Sequence, residues 1–189
     1  MRLGAKLYYA GGFVDSSIRS NETFYLDLSN SFQTSSPLWE SLGEIIPVSP
    51  DYSTTILSPL DNSTIYLIGG YMVNPITNMP DLNITVYTFD TISLKWNALL
   101  TNGSSRQEMD AVVDSSGKIY VFGGRGTNTD NYYNDINILN IGTNYWTNIP
   151  ATSSSPYSLA DYTATLLPNG IIVYIGGFTG VDLITDLKQ

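Results

Sequence analysis

The sequence predicts an all-β protein built from repeated four-stranded antiparallel sheets, and three observations carry that reading. Glycine pairs recur at Gly11-Gly12, Gly69-Gly70, Gly123-Gly124 and Gly176-Gly177, roughly 53 to 58 residues apart. Each pair closes a run of β-branched and aromatic residues, and a tryptophan follows each of the first three, at Trp39, Trp96 and Trp146. Charged residues make up only 13% of the chain, so the polar surface must be built from Ser, Thr and Asn, which suit strands and turns better than helices.

The elements of one unit follow in order. The runs Leu7-Tyr8-Tyr9-Ala10, Ile65-Tyr66-Leu67-Ile68, Ile119-Tyr120-Val121-Phe122 and Val173-Tyr174-Ile175 lead into the glycines as strands. After a polar loop come Thr23–Asp27, Val86–Asp90 and Ile136–Asn140. Each ends in Asp or Asn, whose side chain accepts a bond from a backbone N–H two residues on and so starts a turn. The tryptophans sit on the next strand. A further strand precedes the next glycine pair, at Ser53–Leu57, Asp110–Val113 and Tyr162–Leu167. One small sheet cannot bury both faces, so neighbouring units must stack. A buried indole hides about 150–250 Å², worth at most roughly 4–6 kcal/mol, so the three tryptophans read as structural. The bare glycine backbone is expected to receive an aromatic ring from the same or the next unit.

This pattern resembles the kelch motif over nearly the whole chain. The resemblance implies a β-propeller of twisted four-stranded blades around a central channel, with the glycine pairs ending the second strand of each blade. It also implies that the residues near Phe24 and Tyr87 lie on the third strand and the tryptophans on the fourth. Asn137 stands where the motif favours Tyr, so the third blade is expected to pack less tightly there. The units are expected at residues 5–50, 51–104, 105–156 and, incomplete, 157–189. That makes about three complete blades with partial ones at the ends. The first unit is expected to begin at its second strand, since nothing before Ala5 supplies an inner one. The last is expected to run on through Val181–Leu187 and to stop before a tryptophan strand.

Composition excludes several chemistries. The chain has no cysteine and no histidine, which removes disulfides, thiolate nucleophiles, Cys/His zinc sites and histidine acid–base catalysis. The copper site of the galactose-oxidase type, which the resemblance brings to mind as an enzymatic relative by fold, needs both residue types. A net charge of −9 with eight scattered Lys and Arg makes nucleic acid and anionic membranes poor partners. No apolar run is long enough for a transmembrane helix, and the N-terminus lacks the apolar core of a signal peptide, so the chain either has no signal or is cut from a longer one. Sequons begin at Asn21, Asn62, Asn83 and Asn102, where about three would arise by chance. The low Lys content and Asn/Ser/Thr-rich surface point towards an extracellular protein, with a cytosolic scaffold as the alternative.

The resemblance places function on loops at one face of the ring and at the channel mouth, and loops carry function in general. The residues of matching type there are Arg19, Tyr52, Tyr71, Arg106, Arg125, Tyr132, Tyr133 and Tyr157, with loop packing as the alternative role for each. An acidic residue precedes each inner strand, at Asp51, Glu108 and Asp161. Converging on the channel they would offer oxygen ligands to a cation; capping a strand start is the plainer role. The polar stretch 127–134 is expected to be mobile unless a ligand orders it.

The leading reading is therefore a non-catalytic propeller, without cofactor, that binds a protein, a peptide or a glycan through these loops. A carbohydrate-processing hydrolase is the second reading. Its carboxylate pair would have to come from the aspartates or from Glu22, Glu40, Glu44 and Glu108, which form no recognisable catalytic motif. A structural fragment completed by another chain is the third. Open propeller ends expose strand edges and apolar faces, so two copies are expected to assemble into a larger ring unless the chain closes as a compact four-bladed ring or belongs to a longer propeller.

Overall fold

The computed structural model describes residues 1–15, 18–81, 85–127 and 131–179, and among these there is no helix. The first blade comprises β1 (Arg2–Leu3), β2 (Lys6–Ala10), β3 (Glu22–Asp27) and β4 (Trp39–Ile45), hydrogen-bonded in that order. A short β5 (Ser49–Asp51) leads into the second blade, formed by β6 (Thr54–Leu57), β7 (Thr64–Ile68), β9 (Val86–Asp90) and β10 (Lys95–Leu99). Between β7 and β9 lies β8 (Tyr71–Val73), which pairs with β5. The third blade repeats the plan: β11 (Arg106–Gln107) leads into β12 (Ala111–Val113), β13 (Lys118–Phe122), β15 (Ile136–Asn140) and β16 (Tyr145–Ile149), and β14 (Arg125–Gly126) pairs with β11. A fourth blade contributes β17 (Ala160–Leu166) and β18 (Ile172–Phe178). All pairings are antiparallel, and the fold is a kelch-type propeller. The strand expected at Val181–Leu187 lies outside the described residues.

The first blade differs from expectation because it has an inner strand. Gly4, at φ +57°, reverses the chain within two residues, so Arg2 and Leu3 pair with Leu7 and Lys6. Tyr8 N–H donates to Met1 O at 2.7 Å and the N-terminal ammonium donates to Tyr8 O at 2.9 Å.

Strand alternation sets the blade-to-blade packing. The residue just before each glycine pair faces the following blade, and the residue before that faces the preceding one. Ala10 accordingly packs with Leu67, Ile68 shares a cluster with Val121, and Phe122 meets Tyr174 at 5.2 Å between ring centroids. The indoles reach backwards. Trp96 Nε1 donates to Thr23 in the first blade at 2.9 Å, and Trp146 Nε1 donates to Thr101, just after the second blade, at 3.2 Å. Trp96 and Trp146 are half-buried. Trp39 is exposed, contrary to a uniformly structural role, because among the described residues no preceding blade lies against it.

The glycine pairs serve a different purpose from the one expected. Among the nearest atoms at these glycines none belongs to an aromatic ring. The first glycine of each interior pair admits the segment leading into the next blade: a Cβ on Gly69 would stand 2.5 Å from Arg106 O, one on Gly123 2.5 Å from Leu159 O, and one on Gly11 2.5 Å from the Pro50 ring. The second glycine then donates its N–H across the same seam, from Gly12 to Pro50 O at 3.0 Å, Gly70 to Arg106 O at 2.6 Å and Gly124 to Leu159 O at 2.8 Å. All six glycines have positive φ; crowding at the first of each pair, and a φ of +83° to +94° at the second, both disfavour a side chain. The aromatic-on-glycine contact does occur elsewhere, where the Trp146 indole lies against Gly103.

At or just before the start of the inner strands, Tyr52, Glu108 and Asp161 hold equivalent left-handed conformations at φ +53°, +59° and +54°. Asp161 N–H donates to Glu108 O at 2.9 Å and Glu108 N–H to Tyr52 O at 3.0 Å, a backbone chain that links the second, third and fourth blades.

Candidate functional site

The loops between second and third strands and the segments leading into each blade meet at one end of the blades, and three ion pairs tie them together. Arg19, paired across its loop with Phe13, reaches from the first blade to Asp51 on β5, with Nε to Oδ2 at 2.6 Å. The Asp51 carboxylate is buried, and its Oδ1 has no hydrogen-bond partner among the described residues. Burial pushes its pKa above the ordinary aspartate value, with the Arg19 hydrogen bond and charge opposing. The Arg19 guanidinium lies 5.2 Å from the Phe13 ring centroid and 5.2 Å from that of Tyr71, which pairs with Asp51 in the β5–β8 ladder. Tyr52 is exposed and meets Phe13 edge-on at 6.4 Å.

Arg106 is used differently. It is buried, forms a two-pronged pair with Asp135 at 2.5 and 2.9 Å, donates to Gly123 O at 3.1 Å and stacks 3.9 Å from the Tyr133 ring centroid. With its carboxamide oxygen turned to the guanidinium, Asn137 accepts from the same arginine at 2.9 and 3.1 Å. The asparagine that departs from the motif thus makes a polar floor beneath Arg106, beside a narrow crevice lined by Ile68, Gly69, Gly103 and Trp146. Burial alone would raise the Asp135 carboxyl, but the hydrogen bonds and charge of Arg106, with help from Asn148, hold it below the ordinary aspartate value.

Arg125 forms a two-pronged pair with Glu108, its Nε to Oε2 at 2.9 Å, and bridges to Tyr132, whose ring meets Phe178 at 5.8 Å. Asp161 is close enough to feel both groups: burial and the Glu108 charge raise its pKa, and Arg125 opposes them. Tyr157 stands out in solvent on the segment before the fourth blade.

The candidate residues therefore fall into two groups rather than one pocket. Arg19, Tyr52 and Tyr71 gather at the seam of the first two blades. Arg106, Arg125, Tyr132 and Tyr133 gather around the third. The three acidic candidates do not converge as a set. The backbone chain links Tyr52, Glu108 and Asp161, so Asp51 sits one residue earlier and turns to Arg19, while Glu108 turns to Arg125. Among the described residues no three Asp or Glu side chains come close enough to hold a metal ion. Residues 128–130 of the stretch expected to be mobile, and the sequon at Asn83, lie outside the described residues.

Sequence reasoning missed Phe13 and Asp135. Phe13 carries a signal, since the position after each glycine pair repeats as Phe13, Tyr71, Arg125 and Phe178. Asp135 carries none that a local pattern would show.

No helix among the described residues is long and apolar enough to cross a membrane. A family model described as the KLHDC2/KLHL20/DRC7 Kelch-repeats domain matches residues 1–177. The Acyl-CoA-binding domain-containing protein 5 of Arabidopsis thaliana is 29% identical over 135 residues, which cover 69% of this chain and 19% of that protein. The chain thus spans about a fifth of that relative's length. Kelch domains are in general protein-binding propellers, and the repeated blades, the glycine seams and the family match agree: the chain belongs to the kelch-repeat family.

Proposed function

We propose that the chain is a non-catalytic protein-binding module whose loop face grips a partner segment at the seam of the first two blades, and that the segment presents a carboxylate flanked by apolar side chains. One observation carries this reading. Arg19 is fixed at one edge by Asp51 and held between Phe13 and Tyr71, yet among the described residues its two terminal nitrogens make no hydrogen bond. A guanidinium immobilised in that way presents its free edge for two-pronged binding of a carboxylate at little further entropic cost. The neighbouring arginines are occupied, Arg106 by Asp135 and Arg125 by Glu108.

The flanking surface supports an apolar context. Phe13 and Tyr52 are both exposed beside Arg19, and aromatic side chains with arginine are typical binding anchors. The net charge of −9 disfavours a polyacidic partner, so one carboxylate among apolar residues fits better than an acidic run. A non-catalytic role fits the carboxylates Asp51, Glu108 and Asp135, each already engaged by an arginine.

The test is a fluorescence-polarisation screen with peptides that each display one carboxylate between two apolar residues, alongside amide counterparts. Binding is expected to fall at least about tenfold when the carboxylate becomes an amide, and similarly for Arg19→Gln, with circular dichroism unchanged. Equal binding by either counterpart, or no binding across the library, would overturn the proposal.

A further inference from the structure

The seams between blades repeat closely enough to be compared position by position. The residue before the glycine pair is covered by the following blade, leaving Ile68 2% and Phe122 3% exposed. Its equivalent in the fourth blade, Ile175, is 49% exposed. The seam glycine beside it follows suit: a Cβ on Gly11, Gly69 or Gly123 would collide with the next blade, whereas one on Gly176 meets nothing within 4 Å among the described residues. At the opposite end, Tyr9 occupies the position of Leu67 and Val121, which are buried against a preceding blade. Tyr9 and Trp39 are each 46% exposed and pair edge-on at 4.9 Å.

These two surfaces are complements. Within the chain, Trp96 seats against Ala10 and Trp146 against Ile68, the residue before the glycine pair of the preceding blade. Trp39 stands where Trp96 and Trp146 stand, and Ile175 where Ala10 and Ile68 stand. We infer that the Tyr9–Trp39 face of one copy docks on the Ile175 face of a second copy, continuing the inter-blade seam from molecule to molecule. The contact is head-to-tail, and a ring of two copies would carry two seams of one kind. Among the described residues two copies supply six four-stranded blades and two two-stranded ones, within the usual propeller range of about four to eight. Each copy carries a charge of −9, so the apolar contact forms against mutual repulsion, and added salt strengthens it.

Sedimentation velocity on the 189-residue chain, over a micromolar concentration series, tests this. The expected wild-type species has twice the chain mass of 20.7 kDa. Ile175→Asp and Trp39→Glu are each expected to sediment as monomers with unchanged circular dichroism. Mixing those two variants restores a one-to-one pair, because each retains the surface that the other lacks. A wild-type monomer throughout the series, dimeric variants, or a mixture that stays monomeric would each overturn the inference. The loop-face proposal is read by peptide binding and stands apart from these outcomes.

Discussion

Thr54 Oγ1 donates to Asp110 Oδ1 at 3.0 Å, joining the inner strands of the second and third blades at equivalent positions. The same carboxylate accepts from Thr163 Oγ1 at 3.3 Å and from Ala164 N–H at 2.9 Å in the fourth blade, and from Ala111 N–H at 2.8 Å. One side chain therefore ties three inner strands together. Asp110→Ala strips acceptors from two backbone donors and two hydroxyls and is expected to cost about 2–3 kcal/mol in urea unfolding. Asp110→Asn, which keeps the shape and an acceptor, is expected to cost less.

The glycine seams make a paired prediction. Gly123→Ala places a Cβ 2.5 Å from Leu159 O and 2.9 Å from Tyr133 O at φ +60°, where backbone must shift on both sides. It is expected to lose about 3 kcal/mol. Gly176→Ala shares the positive φ but meets no atom within 4 Å among the described residues, so its expected cost is the conformational one alone, about 1 kcal/mol. Thermal melts of the two variants distinguish steric crowding from backbone preference.

The tryptophans, alike in sequence, are expected to respond unequally. Trp96→Phe removes the bond to the buried Thr23 hydroxyl and is expected to cost about 1 kcal/mol. Trp39→Phe is expected to leave the unfolding of the chain nearly unchanged, since among the described residues its indole packs within its own blade, on Tyr9. Denaturation in parallel at low protein concentration measures both.

Acid lability is expected to track the Arg106–Asp135 pair. The folded Asp135 carboxyl lies below its ordinary value, so its stabilisation is fully present above the ordinary aspartate range and is lost as pH falls through that range and below it. Asp51 acts in the opposite sense: its raised value means that acid relieves part of its burial penalty. Asp135→Asn is expected to flatten the fall in stability below about pH 4. Asp135→Ala, which leaves a buried guanidinium unpaired, is expected to cost about 3 kcal/mol at neutral pH.

The strands were largely legible because they obey local rules. Val86–Asp90 and Ile136–Asn140 occur with the expected bounds, and the first three glycine pairs end their strands as the repeat implies, whereas β18 runs through Gly176-Gly177 to Phe178. What was not legible is long-range. The Arg19–Asp51 pair joins residues from different blades, and no periodicity shows which carboxylate an arginine selects. The acidic recurrence misled for a related reason: Asp51 aligns with Glu108 by residue type, but by backbone conformation the equivalent residue is Tyr52. The glycine seams were found, while their contents, carbonyls with Pro50, Met109 and Leu159, depend on how closely neighbouring blades approach.

Hydrogen exchange by NMR at single amides tests the seam geometry most directly. Gly70, Gly124, Glu108 and Asp161 each donate across a seam between blades. Their amides are expected to exchange as slowly as those of the central strands β7 and β13, and far more slowly than Ile76 and Thr77 in the exposed turn after β8. Exchange of the four seam amides at the rate of that turn would contradict a propeller joined blade to blade through its glycines.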